Sequence, residues 1–184
     1  DLASDDSDWT FGCWINCESI GDPLGFACQH DGSYAYGWIL QVNSSGNVRL
    51  DAYSPNTTKI HSATLSAATW YFIVFQYDAA SNLYGISVNN GAFETVSASS
   101  ITTAAGSFLL GTRIDATSFG FDGLIDESWF SRRLYTSDER TEIYNSGAGL
   151  SYDDWDAGGA TVGGPILQGR AISPGRIFGG SVLC

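Results

Sequence analysis

The sequence predicts an all-β fold, an antiparallel two-sheet sandwich with one short helix near residues 136–146. Two observations predict it. Aromatic residues, Thr, Ser and 22 Gly outweigh good helix formers in the 184 residues, which favours strands over helices. Apolar and other residues also alternate in several short segments that turn signals separate, as they do in half-buried strands. A hydrophobic content of 43% is enough for a sizeable core.

The first predicted strands come from two segments. In "WTFGCWINC" the alternation turns Phe11, Cys13 and Ile15 toward the core. The segments "YGWILQVN" and "NVRLDAY", joined by "SSG", are predicted to form a hairpin. One face of this hairpin carries its apolar residues, which are Trp38, Leu40, Val42, Val48, Leu50 and Ala52.

The later strands and the helix follow from similar signals. "WYFIVFQYD" is apolar on both faces, which predicts a central strand covered on both sides. "NLYGISVNNG", "GSFLLGT" and "GLIDESWF" complete the predicted set. The helix begins after Thr136, because Glu139 stands three residues later in the capping-box pattern and suits the helix dipole. Ile143 and Tyr144 are predicted to anchor its inner side.

Charge and composition exclude some partners. The net charge of −12 argues against binding to nucleic acid or to anionic membranes, and leaves cations, sugars and proteins. No apolar run approaches the roughly 20 residues of a membrane span, so we expect no membrane insertion. The chain contains no Met, so we expect it to be a processed or excised piece of a longer protein.

The composition changes near residue 153. Residues 1–152 are predicted to form the sandwich, and residues 153–184 a Gly-rich C-terminal arm with short apolar clusters at 166–167, 177–178 and 182–183. Such clusters suit an extended segment that packs on its own domain or on a neighbouring subunit, in a homo-oligomer or assembly. A floppy tail, or the start of a further domain, is the alternative.

The ordered segments between residues 2 and 152 resemble laminin-G-like domains of the concanavalin-A-like lectin-glucanase superfamily. "WTFGCWIN" resembles the opening strand of these domains, and "WYFIVFQYDAASNLYGISVNNG" resembles their W-x-H-V-A-x-T-Y-D hairpin, with Phe72 where His is usual. "FLLGTRI" and "FDGLIDESWFSRRLYTSDERTEIYN" are similar to the final strands and helix. The resemblance implies a jelly roll, whose usual first strand is cut off here at "DLAS".

The resemblance also raises a question about Asp126 and Glu127, which are adjacent within an apolar segment. The family pattern implies that Asp126 faces the core and Glu127 faces outward. A carboxylate at the rim of the core needs hydrogen bonds or a metal ion. Related domains often hold one Ca²⁺ at the sandwich edge, so Asp126 is a candidate ligand, with Asp31 and Asp8 as companions. A structural, hydrogen-bonded Asp126 is the alternative.

The cysteines allow one disulfide prediction. On one strand Cys13 and Cys17 would lie about 13 Å apart, too far to pair with each other. We predict a Cys17–Cys28 disulfide because its intervening segment is the shorter one. The alternative for Cys13 is a buried free thiol. Sequons at Asn43 and Asn56 lie in predicted turns and are typical of secreted proteins.

No catalytic motif is evident. Glucanases with this fold carry E-x-D-x-x-E on one strand face, whereas Asp126 and Glu127 are adjacent and point apart. His30 and His61 are interpreted as exposed loop residues, and neither lies near a nucleophile motif. We therefore predict that the protein is not an enzyme.

Sugar-binding sandwiches use exposed aromatic rings, on which the C–H face of a sugar stacks. The candidates are Tyr34, Tyr36, Tyr53 and Trp129, while Trp38 is expected in the core. These features predict a glycan-binding or adhesion module of a larger extracellular or cell-surface protein. The alternative is a structural subunit of a cell-surface layer, filament or virus particle, held together by its edge strand and C-terminal arm.

Overall fold

The computed structural model describes residues 7–21, 23–30, 37–53, 56–98, 107–112 and 120–150, with the backbone only for His30. The predicted arm, residues 153–184, lies outside this range. The described residues contain ten strands in two antiparallel sheets of five, which confirms the predicted two-sheet architecture. In chain order the strands are β1 (Trp9–Cys17), β2 (Leu24–His30), β3 (Gly37–Val42), β4 (Asn47–Tyr53), β5 (Thr57–Thr64), β6 (Trp70–Asp78), β7 (Leu83–Val88), β8 (Glu94–Ser97), β9 (Phe108–Leu110) and β10 (Gly123–Ser131).

The two sheets face each other across the core. The first sheet has the order β10-β1-β6-β7-β8, and the second has the order β5-β4-β3-β2-β9. The alternation read from the sequence assigns the inner faces correctly, because these side chains lie together in the main hydrophobic cluster. They include Phe11, Cys13 and Ile15 from β1, Trp38, Leu40 and Val42 from β3, and Val48, Leu50 and Ala52 from β4. The sequence did not predict β2, β5 or β8.

The outer face of the first sheet is covered by helix α1 (Ser137–Tyr144) and the turns around it. Thr136 caps the helix, and its side chain forms the predicted capping box with Glu139. A second hydrophobic cluster lies beneath the helix and comprises Trp14, Phe72, Val74, Trp129, Tyr135 and Ile143. Strand β6 is therefore buried on both faces, as its apolar sequence predicts. No helix among the described residues is long and apolar enough to cross a membrane.

Candidate functional site

The outer face of the second sheet carries a hydrogen-bonded polar cluster, formed by Gln41, Arg49, Asp51 and Thr58. Strand pairing brings them together, because Gln41 lies opposite Arg49 and Asp51 lies opposite Thr58. Asp51 Oδ1 accepts hydrogen bonds from Arg49 Nε (3.0 Å), Arg49 Nη2 (2.7 Å) and Thr58 Oγ1 (2.7 Å). Asp51 Oδ2 accepts from Gln41 Nε2 at 2.8 Å. Four donor contacts thus hold one buried carboxylate in place.

The polar cluster reaches the surface on its β4–β5 side. The Asp51 side chain is 7% exposed, whereas the Arg49 side chain is 37% exposed and Thr58 is also exposed. Ile60 lies opposite Arg49 and is 46% exposed, so an apolar surface adjoins the charged one. Tyr53 is half-buried on β4 and alternates onto the same outer face as Arg49 and Asp51. Tyr34 and Tyr36, the other predicted tyrosines, lie outside the described residues.

A second polar group links the open edges of the two sheets, and we call it the edge clasp. Glu94 on β8 accepts hydrogen bonds from the backbone N–H and the hydroxyl of Ser62 on β5. Lys59 Nζ lies 3.0 Å from Glu94 Oε2. The Ser62 hydrogen bond and the Lys59 contact lower the pKa of Glu94 to about 2. Glu94 is therefore charged at neutral pH and joins β5 to β8.

His61 belongs to the edge clasp and is buried, so its interpretation as an exposed loop residue is wrong. Its Nδ1 accepts a hydrogen bond from the Ala63 N–H at 3.0 Å, and its Nε2 lies 3.6 Å from Glu94 Oε1. Burial lowers the pKa of His61. The neutral ring therefore carries its proton on Nε2, which points to the carboxylate.

Trp129 is buried, so the prediction that it binds a ligand is wrong. It packs under α1 against Tyr135, and its ring lies flat on Gly12, where an added Cβ would be 2.4 Å from Trp129 Cζ2. Trp38 is in the core, as expected. Trp70, which the sequence analysis did not select, is 40% exposed at the start of β6. Because Trp70 is the first residue of its strand, the sequence could have indicated that its ring is exposed.

The prediction that Asp126 faces the core is wrong. Cys13 of β1 faces both Glu127 and Ser128 of β10, because the pairing shifts by one residue there, and Glu127 has φ +45°. This bulge reverses the alternation inferred from Phe130. Asp126 is exposed, and its Oδ1 accepts from the Glu127 N–H.

Glu127 instead turns toward the chain that follows α1. It is half-buried, and its Oε2 accepts the Leu150 N–H at 3.1 Å. An added Cβ at Gly149 would lie 2.6 Å from the same oxygen, so a larger residue there would displace the Glu127 carboxylate, and the φ of +73° also favours glycine. Burial raises the pKa of Glu127. The carboxylate that the fold buries at this bulge therefore has a structural contact and is not Asp126.

Asp8 and Asp126, two of the three predicted calcium ligands, do not lie together. Asp8 precedes β1 and accepts the Ala79 N–H at 3.0 Å, whereas Asp126 pairs with Trp14. Six residues of β1 separate these positions, about 20 Å at 3.3 Å per residue. Calcium ligands lie about 2.3–2.6 Å from the ion, so Asp8 and Asp126 do not fit one site. Asp31 lies outside the described residues, among which no group of three or more His, Cys, Asp or Glu could hold a metal ion.

The predicted Cys17–Cys28 disulfide is wrong in this structure. Cys13, Cys17 and Cys28 are free and buried. Cys17 points into the main cluster, whereas Cys28 pairs with Ile39 on the outer side of the second sheet, beyond a bulge in β2. Burial raises the pKa of Cys17 to about 11 and that of Cys28 to about 12, so neither thiol is a ready nucleophile.

The fold and the motifs agree with a family assignment. Residues 1–139 match the family model of the concanavalin A-like lectin/glucanases superfamily. The chain belongs to this superfamily. No curated protein matches it.

Several solved structures share the superfamily fold with this chain. The CBM40 module of the Ruminococcus gnavus IT-sialidase, bound to α2,3-sialyllactose, matches with a TM-score of 0.62 and 14% identity, over 72% of this chain and 80% of that one. A candidate carbohydrate-binding protein of Bacteroides ovatus ATCC 8483 matches with a TM-score of 0.60 and 18% identity, over 76% of this chain and 41% of that one. The heptameric SAP-like pentraxin of Limulus polyphemus matches with a TM-score of 0.58 and 13% identity, over 81% of this chain and 76% of that one. At these identities the likeness shows the fold.

Proposed function

We propose that this chain is a non-catalytic carbohydrate-binding module and that the polar cluster, with Ile60 beside it, is its glycan-binding surface. The arrangement that carries the proposal is a buried Asp51 holding two partly exposed groups, Arg49 and Thr58, next to an exposed apolar side chain. The similarity to modules whose names state carbohydrate binding supports the same function. The module would act outside the cell or at its surface.

Each group has a part in binding a sugar. The Arg49 side chain is fixed by its Nε and Nη2 contacts with Asp51, which leaves Nη1 to donate to a sugar hydroxyl. The Thr58 hydroxyl donates to Asp51, so its oxygen can accept from a second sugar hydroxyl. Ile60 offers apolar contact to the C–H groups of the ring. Because Asp51 holds these groups before the sugar arrives, less entropy is lost on binding.

The same geometry favours binding over hydrolysis. Hydrolysis of a glycosidic bond ordinarily needs two carboxyl groups, one on each side of that bond. The polar cluster contains one, Asp51, and its oxygens already accept from three side chains. Glu94 on the edge clasp has a pKa of about 2 and is no general acid at neutral pH.

A glycan array with the purified chain, followed by calorimetry on the best glycan, tests the proposal. We expect Arg49→Gln and Thr58→Val each to weaken binding about tenfold, since each removes one polar contact. Trp70→Ala is the control, because Trp70 is the exposed aromatic on the other sheet. Loss of binding in the Trp70 variant alone would move the site to β6. Silence across diverse neutral and acidic glycans would refute the function itself.

A further inference from the structure

We infer that the polar cluster selects neutral sugars and discriminates against glycans with a carboxylate or sulfate at the contact position. This inference deepens the proposed function and rests on it. Under this inference the chain differs in its preference for charged sugars from a protein of the same fold whose structure holds sialyllactose.

The guanidinium of Arg49 is already paired. Arginine usually binds a carboxylate through two parallel N–H donors. In the polar cluster the adjacent Nε and Nη2 donors of Arg49 both contact Asp51 Oδ1, at 3.0 and 2.7 Å. Asp51 is buried and its carboxylate accepts from three side chains, which hold it beside the guanidinium. The positive charge is thereby compensated within the protein, and an acidic sugar would compete with Asp51 for it.

Lys59, the lysine on the neighbouring strand β5, is also compensated. Lys59 lies next to Thr58 in the chain, but its Nζ is 3.0 Å from Glu94 Oε2. Ser62 donates to the same carboxylate, so Glu94 stays charged and in place. Lys59 also points to the opposite face of β5 from Thr58, because it pairs with the core residue Leu50. An acidic glycan on the polar cluster would therefore meet one compensated cation, Arg49, on a chain with a net charge of −12. Neutral hydroxyls avoid this cost, because they can accept from Arg49 Nη1 and donate to Thr58 without a counter-ion.

Arg133 and Arg140 lie elsewhere. Arg133 pairs with Glu139 at 2.7 Å beside α1, over the first sheet. Arg140 is buried under α1, with its guanidinium over the ring of Phe93. Neither contributes charge to the polar cluster, which lies on the outer face of the second sheet.

Matched glycan pairs test this inference. Each neutral glycan that binds is compared with the same glycan carrying a terminal sialic acid or a sulfate, by calorimetry at 50 and 300 mM salt. We expect the neutral member to bind at least tenfold more tightly, with a smaller ratio at high salt, because salt screens the repulsion. Tighter binding of the acidic member by the wild-type chain would overturn the inference while leaving the proposed function intact.

Two variants test the cause of the selectivity. Asp51→Asn removes the charge that compensates Arg49, and Glu94→Gln removes the charge that compensates Lys59. We expect the neutral-to-acidic ratio to fall by about threefold or more in at least the Asp51 variant, with Glu142→Gln, an exposed change on α1, as the charge-matched control. An unchanged ratio in folded Asp51 and Glu94 variants would overturn the charge argument. Binding of neither member by the wild-type chain would refute the proposed function, and the inference with it.

Discussion

Replacing Asp51 with Ala tests whether the polar cluster is as rigid and as buried as its contacts indicate. The change removes the acceptor of four donor contacts from Gln41, Arg49 and Thr58. Thr58 and the 37% exposed Arg49 can turn to water, so the ion pair itself contributes only about 0.5–1 kcal/mol. Gln41 is 3% exposed, and leaving its buried amide N–H without an acceptor costs about 1–3 kcal/mol.

Together these terms predict a loss of about 1.5–4 kcal/mol in the free energy of unfolding for Asp51→Ala. For a domain of 150–250 residues each kcal/mol lowers the melting temperature by about 2–4 °C, so we expect a decrease of about 8 °C. Thermal melts followed by circular dichroism and urea titrations with an unchanged m-value provide the measurement. Asp51→Asn keeps one side-chain oxygen and should lose about half as much.

The matched control is Glu18→Ala, which removes an exposed carboxylate near the end of β1 and should change stability by less than about 0.5 kcal/mol. If Asp51→Ala unfolds within about 1 kcal/mol of the wild-type chain, the Gln41 amide has another acceptor or is open to water. The polar cluster would then not be preorganised, and the argument for its role in sugar binding would fail with it.

Three further outcomes follow from the structure. The folded-state pKa of Glu94 lies below its ordinary value of 4.5, so the stability that its charge contributes is present above pH 4.5 and is lost toward pH 2. Denaturation between pH 6 and pH 2 should therefore show that the stability loss caused by Glu94→Gln disappears in acid, and a loss that stays constant with pH would contradict this. The folded-state pKa of Glu127 is raised above 4.5, so its charge opposes folding as the pH rises. The Glu127→Gln variant keeps an acceptor for the Leu150 N–H and should gain stability relative to wild type from pH 4 to 7. A relative loss of stability would refute the burial of the Glu127 carboxylate. Melts in EDTA and in excess Ca²⁺ should coincide, because Asp8 and Asp126 do not fit one ion; a calcium site filled at about 100 times its dissociation constant would add about 2.7 kcal/mol, and a rise of several degrees would indicate ligands outside the described residues.

The sequence by itself determined seven of the ten described strands and the faces of β1, β3 and β4 that enter the core. Alternation is a local property, since successive side chains of a strand leave on opposite sides whatever the strand pairs with. Phe11, Leu40 and Leu50 could therefore be assigned to the core without a structure. The capping box at Thr136 is equally local, because its hydrogen bonds join residues three apart, and it marked the beginning of α1 correctly.

The tertiary structure alone decided the site. A bulge depends on how two strands pair, so no local feature of β10 predicts that Asp126 is exposed while Glu127 is half-buried against Leu150. The polar cluster joins Gln41, Asp51 and Thr58 from three strands, and only the register brings their side chains within hydrogen-bond distance. Alternation states which face a residue occupies, whereas contact across strands depends on the partner and its offset, which the sequence of one strand does not contain.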